Sequence, residues 1–313
     1  MEREFRLRLE AVSAPGIKLQ FPYLSLSFSK YFARNFFSIL ILSILDHLGV
    51  PTARLRAYAL VTHAIRGIVT ASDNILDSED KGALIIVNMD GKVLSNILLI
   101  MVQYDLVHEV ISEISSNESV RRKAHNLLLN SLSEIAQEES IEENAVEEVL
   151  HPDELINTIH HYRGGRLLEL AFVLPEIIER ELAPAISELK TGIYRIGLAV
   201  QSLDDVTDFG LDLQSRNHNL LRSWIVHKRP DGSMTDKDLL HIPQDELSEP
   251  DRRFPNATKS IVRFAIDLAL EGFERLQEHG YPIDRSSALE LVQFLFELRG
   301  ARKLWELYVC DEA

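Results

Sequence analysis

The chain has 313 residues, a formal net charge of −15 and 46% hydrophobic residues. Length allows one large domain or two, and the apolar fraction supplies a substantial core and excludes disorder as a global description. The acidic balance argues against nucleic acid or an anionic membrane surface as the main partner. The single cysteine, Cys310, excludes an internal disulfide and a cysteine-based zinc site, which fits a cytoplasmic protein.

The opening "MEREFRLRLE" is charged and lacks the apolar centre of a signal peptide. "FFSILILSIL", from Phe36 to Leu45, is about half the ~20 residues of a bilayer span and reads as a buried helix; no integral membrane segment is expected. "ARLRAYALVTHAIRGIVTASDNILD" then carries apolar residues three and four apart, the period of an amphipathic helix. "GALIIVNMDGKV" is the one place where alternation admits a strand. "RRKAHNLLLNSLSEIAQ", "PAISELKTGIYRIGLAVQSLDDVTDFGLDL", "KSIVRFAIDLALEGFERLQEHG" and "ALELVQFLFELRGARKLWELYV" resume the helical period. Breaks fall at "ISSNES", at "QEESIEENAVEE" and in a Pro-rich, loop-like insertion near 228–258. Loops of such length are usually functional or disordered. Long helices with short connections predict one domain over residues 1–313, a single large bundle.

Two stretches carry chemistry. In "ASDNILDSED", Asp73, Asp77 and Asp80 share one helical stripe. Like charges at i,i+4 cost roughly 0.2–0.5 kcal/mol per pair. Alone, such a cluster reads as a solvated face. A second series follows in "GLAVQSLDDVTDFGLD": Asp204, Asp208 and Asp212 at i, i+4 and i+8, with Gln201 beside them. Asp205 lies about 100° off that ridge, so Asp205→Asn is expected to reduce activity much less than Asp208→Asn. Two facing ridges can bind hard divalent cations, and Mg²⁺ is typically held by one or two carboxylates plus substrate phosphates. That would let an acidic protein hold an anionic substrate. Arg216, His218 and Arg222 follow, either as positive or hydrogen-bonding groups for an anion or as basic residues at a helix C-terminus. "HHYRGGRLLELAF" sets two glycines in a helical pattern at about 1 kcal/mol each, the sign of a break or a close approach. Arg66, two turns before Asp73, reads as a core arginine or a cavity-wall residue.

"DNILD" and "DDVTD" resemble the paired Asp-rich motifs of the class I isoprenoid synthases: trans-prenyl diphosphate synthases, squalene and phytoene synthases, and class I terpene cyclases. The resemblance implies an all-α fold, a single large helical bundle around a central apolar cavity. It implies Mg²⁺ on Asp73, Asp77, Asp204, Asp208 and Asp212, with Asp73, Asp77, Asp204 and Asp208 as the catalytic set. The substrate would be an allylic isoprenyl diphosphate that loses pyrophosphate and is transferred, by chain elongation or head-to-head condensation. A homodimer is the implied assembly. "GIKLQFP" keeps Lys18 and Pro22 of the trans-prenyl G-G-K-R-x-R-P motif, making Lys18 a substrate-binding candidate. Arg163 or Arg166 falls where those enzymes carry a Lys-Thr pair. Gln201, Arg216 and His218 complete the implied substrate site, and Ile68 and Val69 the implied cavity floor. The chain departs from the pattern in Asn74 and in having no arginine pair after Asp77. A terpene cyclase and a non-catalytic, synthase-like regulatory subunit remain the alternative readings.

Overall fold

A computed structural model describes residues 2–21, 27–76, 84–87, 89, 91–141, 146–228 and 234–309. The architecture is all-α, as the sequence predicts; the strands among the described residues are a two-residue antiparallel pair. The chain forms two compact units, residues 1–128 with 171–186, and residues 129–170 with 187–313.

The first unit begins with α1 (Glu2–Val12), strand β1 (Leu19–Gln20), α2 (Phe28–His47) and α3 (Thr52–Leu76). Strand β2 (Ile85–Ile86), α4 (Lys92–Ile114) and the start of α5 (Glu118–Glu139) follow. Along α3, Ala57, Leu60, Ala64, Ile68 and Ala71 are buried, three or four residues apart, which is why this segment packs as a helix. Leu19 pairs with Ile86 and Gln20 with Ile85, so the ambiguous stretch contributes half of a small ribbon. The ribbon packs with Ala71 of α3 and Leu99 of α4 in one apolar cluster. The run read as a short buried helix is longer than its ten residues: α2 has 20, and by length and composition it alone among the described residues meets the measure of a membrane span. Its Phe36, Leu40, Ile41, Ile44 and Leu45 are buried within the protein.

The second unit holds the rest of α5, then α6 (Pro152–Leu155), which runs directly into a π-helix (Ile156–Arg166). α7 (Leu167–Ile178) and α8 (Ala183–Thr207) each cross the boundary between units. α9 (Phe209–Ser215) and α10 (Leu220–His227) come next. The segment read as a long loop contains three short helices instead: α11 (Asp236–Leu240), α12 (Gln244–Leu247) and α13 (Pro250–Arg253). Local chemistry explains two of them, a reciprocal Thr235–Asp238 capping box for α11 and Pro250 opening α13. α14 (Pro255–Glu278), α15 (Arg285–Leu298) and α16 (Arg302–Val309) close the chain.

The paired glycines mark both a π-helical stretch and a close approach. A Cβ on Gly164 would sit 2.5 Å from the carbonyl oxygen of Gly197, and one on Gly197 would sit 2.4 Å from that of Gly164. Tyr194 lies over Gly165 in the same way, with a ring carbon 2.2 Å from a Cβ built there. A second such contact joins Gly192 of α8 to Gly272 of α14. Helix backbones therefore touch on two sides of α8. Gly197→Ala should destabilise the protein by about 1–3 kcal/mol, because overpacked backbone has nowhere to go. Gly16→Ala, with nothing within 4 Å of the added carbon, should leave the melting temperature unchanged.

Candidate functional site

In the first unit Asp73 occupies the last turn of α3, half-buried, in a turn with no basic residue. That is the negative end of the helix macrodipole, where a carboxylate is disfavoured. Asp77 lies outside the described residues. Lys18 is exposed beside the ribbon, its carbonyl accepting from the Val87 amide at 2.8 Å.

A cavity of about 70 Å³ opens within this unit. Its lining mixes apolar Phe5, Phe21, Leu84 and Leu99 with the charged Glu2, Arg34 and Arg66 and with His63, Thr70, Asn74, Asn96 and Gln103. The face of α3 turned to it is centred about 80° round the helix from Asp73, so Val69, about 120° from that centre, is not a lining residue. Ile68 belongs to the core. This turn contributes Gly67 to the cavity. The Gln103 amide rests directly on its α-carbon; a Cβ there would lie 1.5 Å from Gln103 Oε1. Asn74, standing where the trans-prenyl motif has an aspartate, donates to Asn96 Oδ1 at 3.4 Å.

Arg66 Nη1 donates to the Arg34 carbonyl and to Asn35 Oδ1, each at 3.0 Å. Burial and repulsion from Arg34 lower its pKa. The sequence reading missed Arg34, although a guanidinium in an apolar helix was an available signal. His63 is 4% exposed, and neither ring nitrogen has a hydrogen-bond partner. Burial, reinforced by Arg66, lowers its pKa to about 3, so the ring is neutral at pH 7.

In the second unit α8 ends at Thr207, Asp208 leaves helical geometry (φ −99°, ψ 5°), and α9 starts at Phe209. The ladder carries through this break: the Asp208 amide donates to the Asp204 carbonyl at 2.8 Å, and that of Asp212 to the Asp208 carbonyl at 2.9 Å. Asp204 again sits in a last turn without a basic residue. Its Oδ1 lies 3.2 Å from Nε of Arg299, which follows α15 and was not singled out from the sequence. Asp212 Oδ2 accepts from Asn219 Nδ2 at 2.8 Å.

Asp205, set aside as off the ridge, is the buried hub of this region. Its carboxylate accepts from His160 Nε2 at 2.9 Å, Gln201 Nε2 at 3.1 Å and the Leu220 amide at 2.5 Å. Gln201, a substrate-binding candidate, thus bonds to Asp205. Arg222 is 2% exposed and grips both oxygens of Asp236 through Nε and Nη2, at 2.8 and 3.0 Å. Arg166 pairs with Glu169 at 2.8 Å and with Glu134 at 3.5 Å, and Arg163 with Glu139 at 3.1 Å. Arg216 adopts a left-handed conformation (φ 58°) as the exposed residue ending α9. That conformation costs a non-glycine residue on the order of 1–3 kcal/mol. Burial first, then Arg163 and Arg222, lower the His218 pKa to about 4, so at pH 7 it offers a neutral imidazole rather than a cation.

Among the described residues no three His, Cys, Asp or Glu side chains converge as a metal centre. The oxygen-only series Asp204, Asp208 and Asp212 fits a hard cation that keeps water and takes further ligands from a phosphate.

At the level of sequence, no family model and no curated protein matches the chain. Solved structures do. A geranylgeranyl pyrophosphate synthase superposes over 96% of this chain and 97% of its own, with a TM-score of 0.62 at 15% identity. The enzyme of that name from Lactobacillus brevis covers 96% and 95% with a TM-score of 0.60 at 15% identity. Octaprenyl pyrophosphate synthase from Helicobacter pylori covers 94% and 96% with a TM-score of 0.60 at 12% identity. The fold is that of the prenyl pyrophosphate synthases. On this fold Asp73–Leu76 end α3 and "DDVTD" runs from the end of α8 to the break before α9.

Two measurements probe the site's physics. Asp205→Asn puts an amide among three donors and should cost about 1–3 kcal/mol in chemical denaturation. Asp208→Asn, at an exposed position, should stay within about 0.5 kcal/mol of the parent. For His63, the unfolded ring binds a proton below pH 6.5 and the folded ring only near pH 3. Its stabilising contribution is therefore complete above pH 6.5 and lost as pH falls towards 3. By pH 5 the loss should reach about 2 kcal/mol. Denaturation of His63→Leu at pH 7 and 5 should show that dependence removed.

Proposed function

We propose that the chain is a Mg²⁺-dependent prenyltransferase that extends an allylic prenyl diphosphate with isopentenyl diphosphate. The observation that carries this reading is the placement of both aspartate motifs at the C-terminal ends of two 25-residue helices, on a fold shared with geranylgeranyl and octaprenyl pyrophosphate synthases. Carboxylates gathered at negative helix ends call for a cation.

In this reading Asp73 and Asp77, with Asp204, Asp208 and Asp212, hold Mg²⁺ together with the allylic diphosphate. Bound there, Mg²⁺ would neutralise charge on the departing pyrophosphate. Arg216 and the neutral imidazole of His218 supply further donors to it. The allylic carbon–oxygen bond breaks with its electron pair leaving on pyrophosphate. The isopentenyl double bond then forms the new carbon–carbon bond, and a proton is lost. Arg34 and Arg66 bring two guanidiniums, with Glu2, to one cavity, which supports that cavity as the seat of the second diphosphate. They would replace the arginines missing from "GIKLQFP" and from the stretch after Asp77.

The test is incubation with Mg²⁺ and geranyl, farnesyl or geranylgeranyl diphosphate, each with and without isopentenyl diphosphate. Longer prenyl diphosphates and equimolar pyrophosphate are expected only when both substrates are present, and EDTA should abolish both. Products from an allylic substrate alone would replace this reading with cyclisation or head-to-head condensation; no pyrophosphate at all would favour a non-catalytic subunit. Asp204→Asn should lower turnover on the order of 100-fold at an unchanged melting temperature. Arg34→Gln should raise KM for isopentenyl diphosphate about tenfold, the worth of one charged hydrogen bond.

A further inference from the structure

Asn219 drew no attention in the sequence, yet its side chain is fully engaged. It is 1% exposed and stands immediately before α10. Its Oδ1 accepts from the backbone amides of Leu221 at 2.9 Å and Arg222 at 3.1 Å, capping the helix. These two donors fix which end of the amide is oxygen. Its Nδ2 donates to the Asp205 carbonyl at 2.7 Å and to Asp212 Oδ2 at 2.8 Å. Both hydrogens and both acceptor positions are used, so the amide can neither flip nor swing. The anchor is equally fixed: Asp205 is held by His160 from the π-helix, by Gln201 and by the Leu220 amide. A rigid chain of hydrogen bonds thus runs from buried His160 to one oxygen of Asp212.

We propose that Asn219 is a positioning residue for the divalent-cation–diphosphate site: its amide sets the orientation in which the Asp212 carboxylate meets the cation. This rests on the prenyltransferase reading, in which Asp212 is a metal ligand. A carboxylate on the short helix α9, beyond the break at Asp208, would otherwise sample several rotamers. A partner that orients a ligand typically contributes 10–100-fold in metal affinity.

Asn219→Ser separates this role from helix capping, because serine caps a helix about as well as asparagine but cannot reach Asp212. The measurement is calorimetric titration of the full chain with inorganic pyrophosphate at fixed Mg²⁺, beside a melting curve. Asn219→Ser is expected to bind about tenfold more weakly with a melting temperature close to the parent's. In an Asp212→Ala background the same substitution should add nothing, since its effect passes through that carboxylate. Parent-like binding by Asn219→Ser, or an additive loss in the double variant, would overturn the proposal. If the serine variant melts early, Asn219→Thr, also a capping residue, takes its place under the same criteria. A parent protein that fails to bind pyrophosphate with Mg²⁺ refutes the prenyltransferase reading, and this inference with it. A parent that binds beside an unaffected variant refutes this inference alone.

Discussion

The constraint on which the structure turns is electrostatic. Carboxylates sit in the last turns of α3 and α8, where the backbone already presents negative partial charge and no lysine or arginine on the same turn offsets it. The protein answers locally where it can. Arg299 reaches Asp204 from the end of α15, and Asn219 bonds to Asp212. Both contacts place a hydrogen-bond donor against a carboxylate oxygen.

Around that arrangement runs a set of buried, hydrogen-bonded polar groups. His160, Ser202, Asp205, Asn219 and Arg222 are nearly inaccessible, and each is hydrogen-bonded to a neighbour. Such a network is costly to leave half-made and rigid once complete. The first unit follows another rule: His63 is buried with neither nitrogen bonded and stays neutral. A neutral imidazole, two guanidiniums and Glu2 share that cavity with apolar side chains.

Much of the fold was legible because long helices announce themselves by period. The apolar spacing along "ARLRAYALVTHAIRGIV" is the burial pattern of α3, and the glycine pair in "HHYRGGR" marked the contact with Gly197. The three short helices after α10 were not, since helices of four or five residues show no period and depend on caps. Among the aspartates, the spacing placed Asp73 and Asp204 on helices, and each stands in a helix's last turn. A helical wheel ranks residues by direction alone, however, and so discounted Asp205, whose importance comes from donors on other elements. Asn219, Arg299 and Arg34 stayed hidden for the same reason: their partners are 14, 95 and 32 residues away.

The glycine contacts along α8 bear on how such a chain can vary. Where helices meet through side chains, one substitution can be absorbed by another across the interface. Where Gly192 and Gly197 meet Gly272 and Gly164, backbone lies on backbone and there is nothing to exchange. The apolar residues around α8 can therefore drift in identity as long as volume is kept, while these four positions admit only a hydrogen atom. The helix that carries Asp204 is held at its correct depth by the absence of side chains, so its register can persist while the surrounding sequence changes almost entirely.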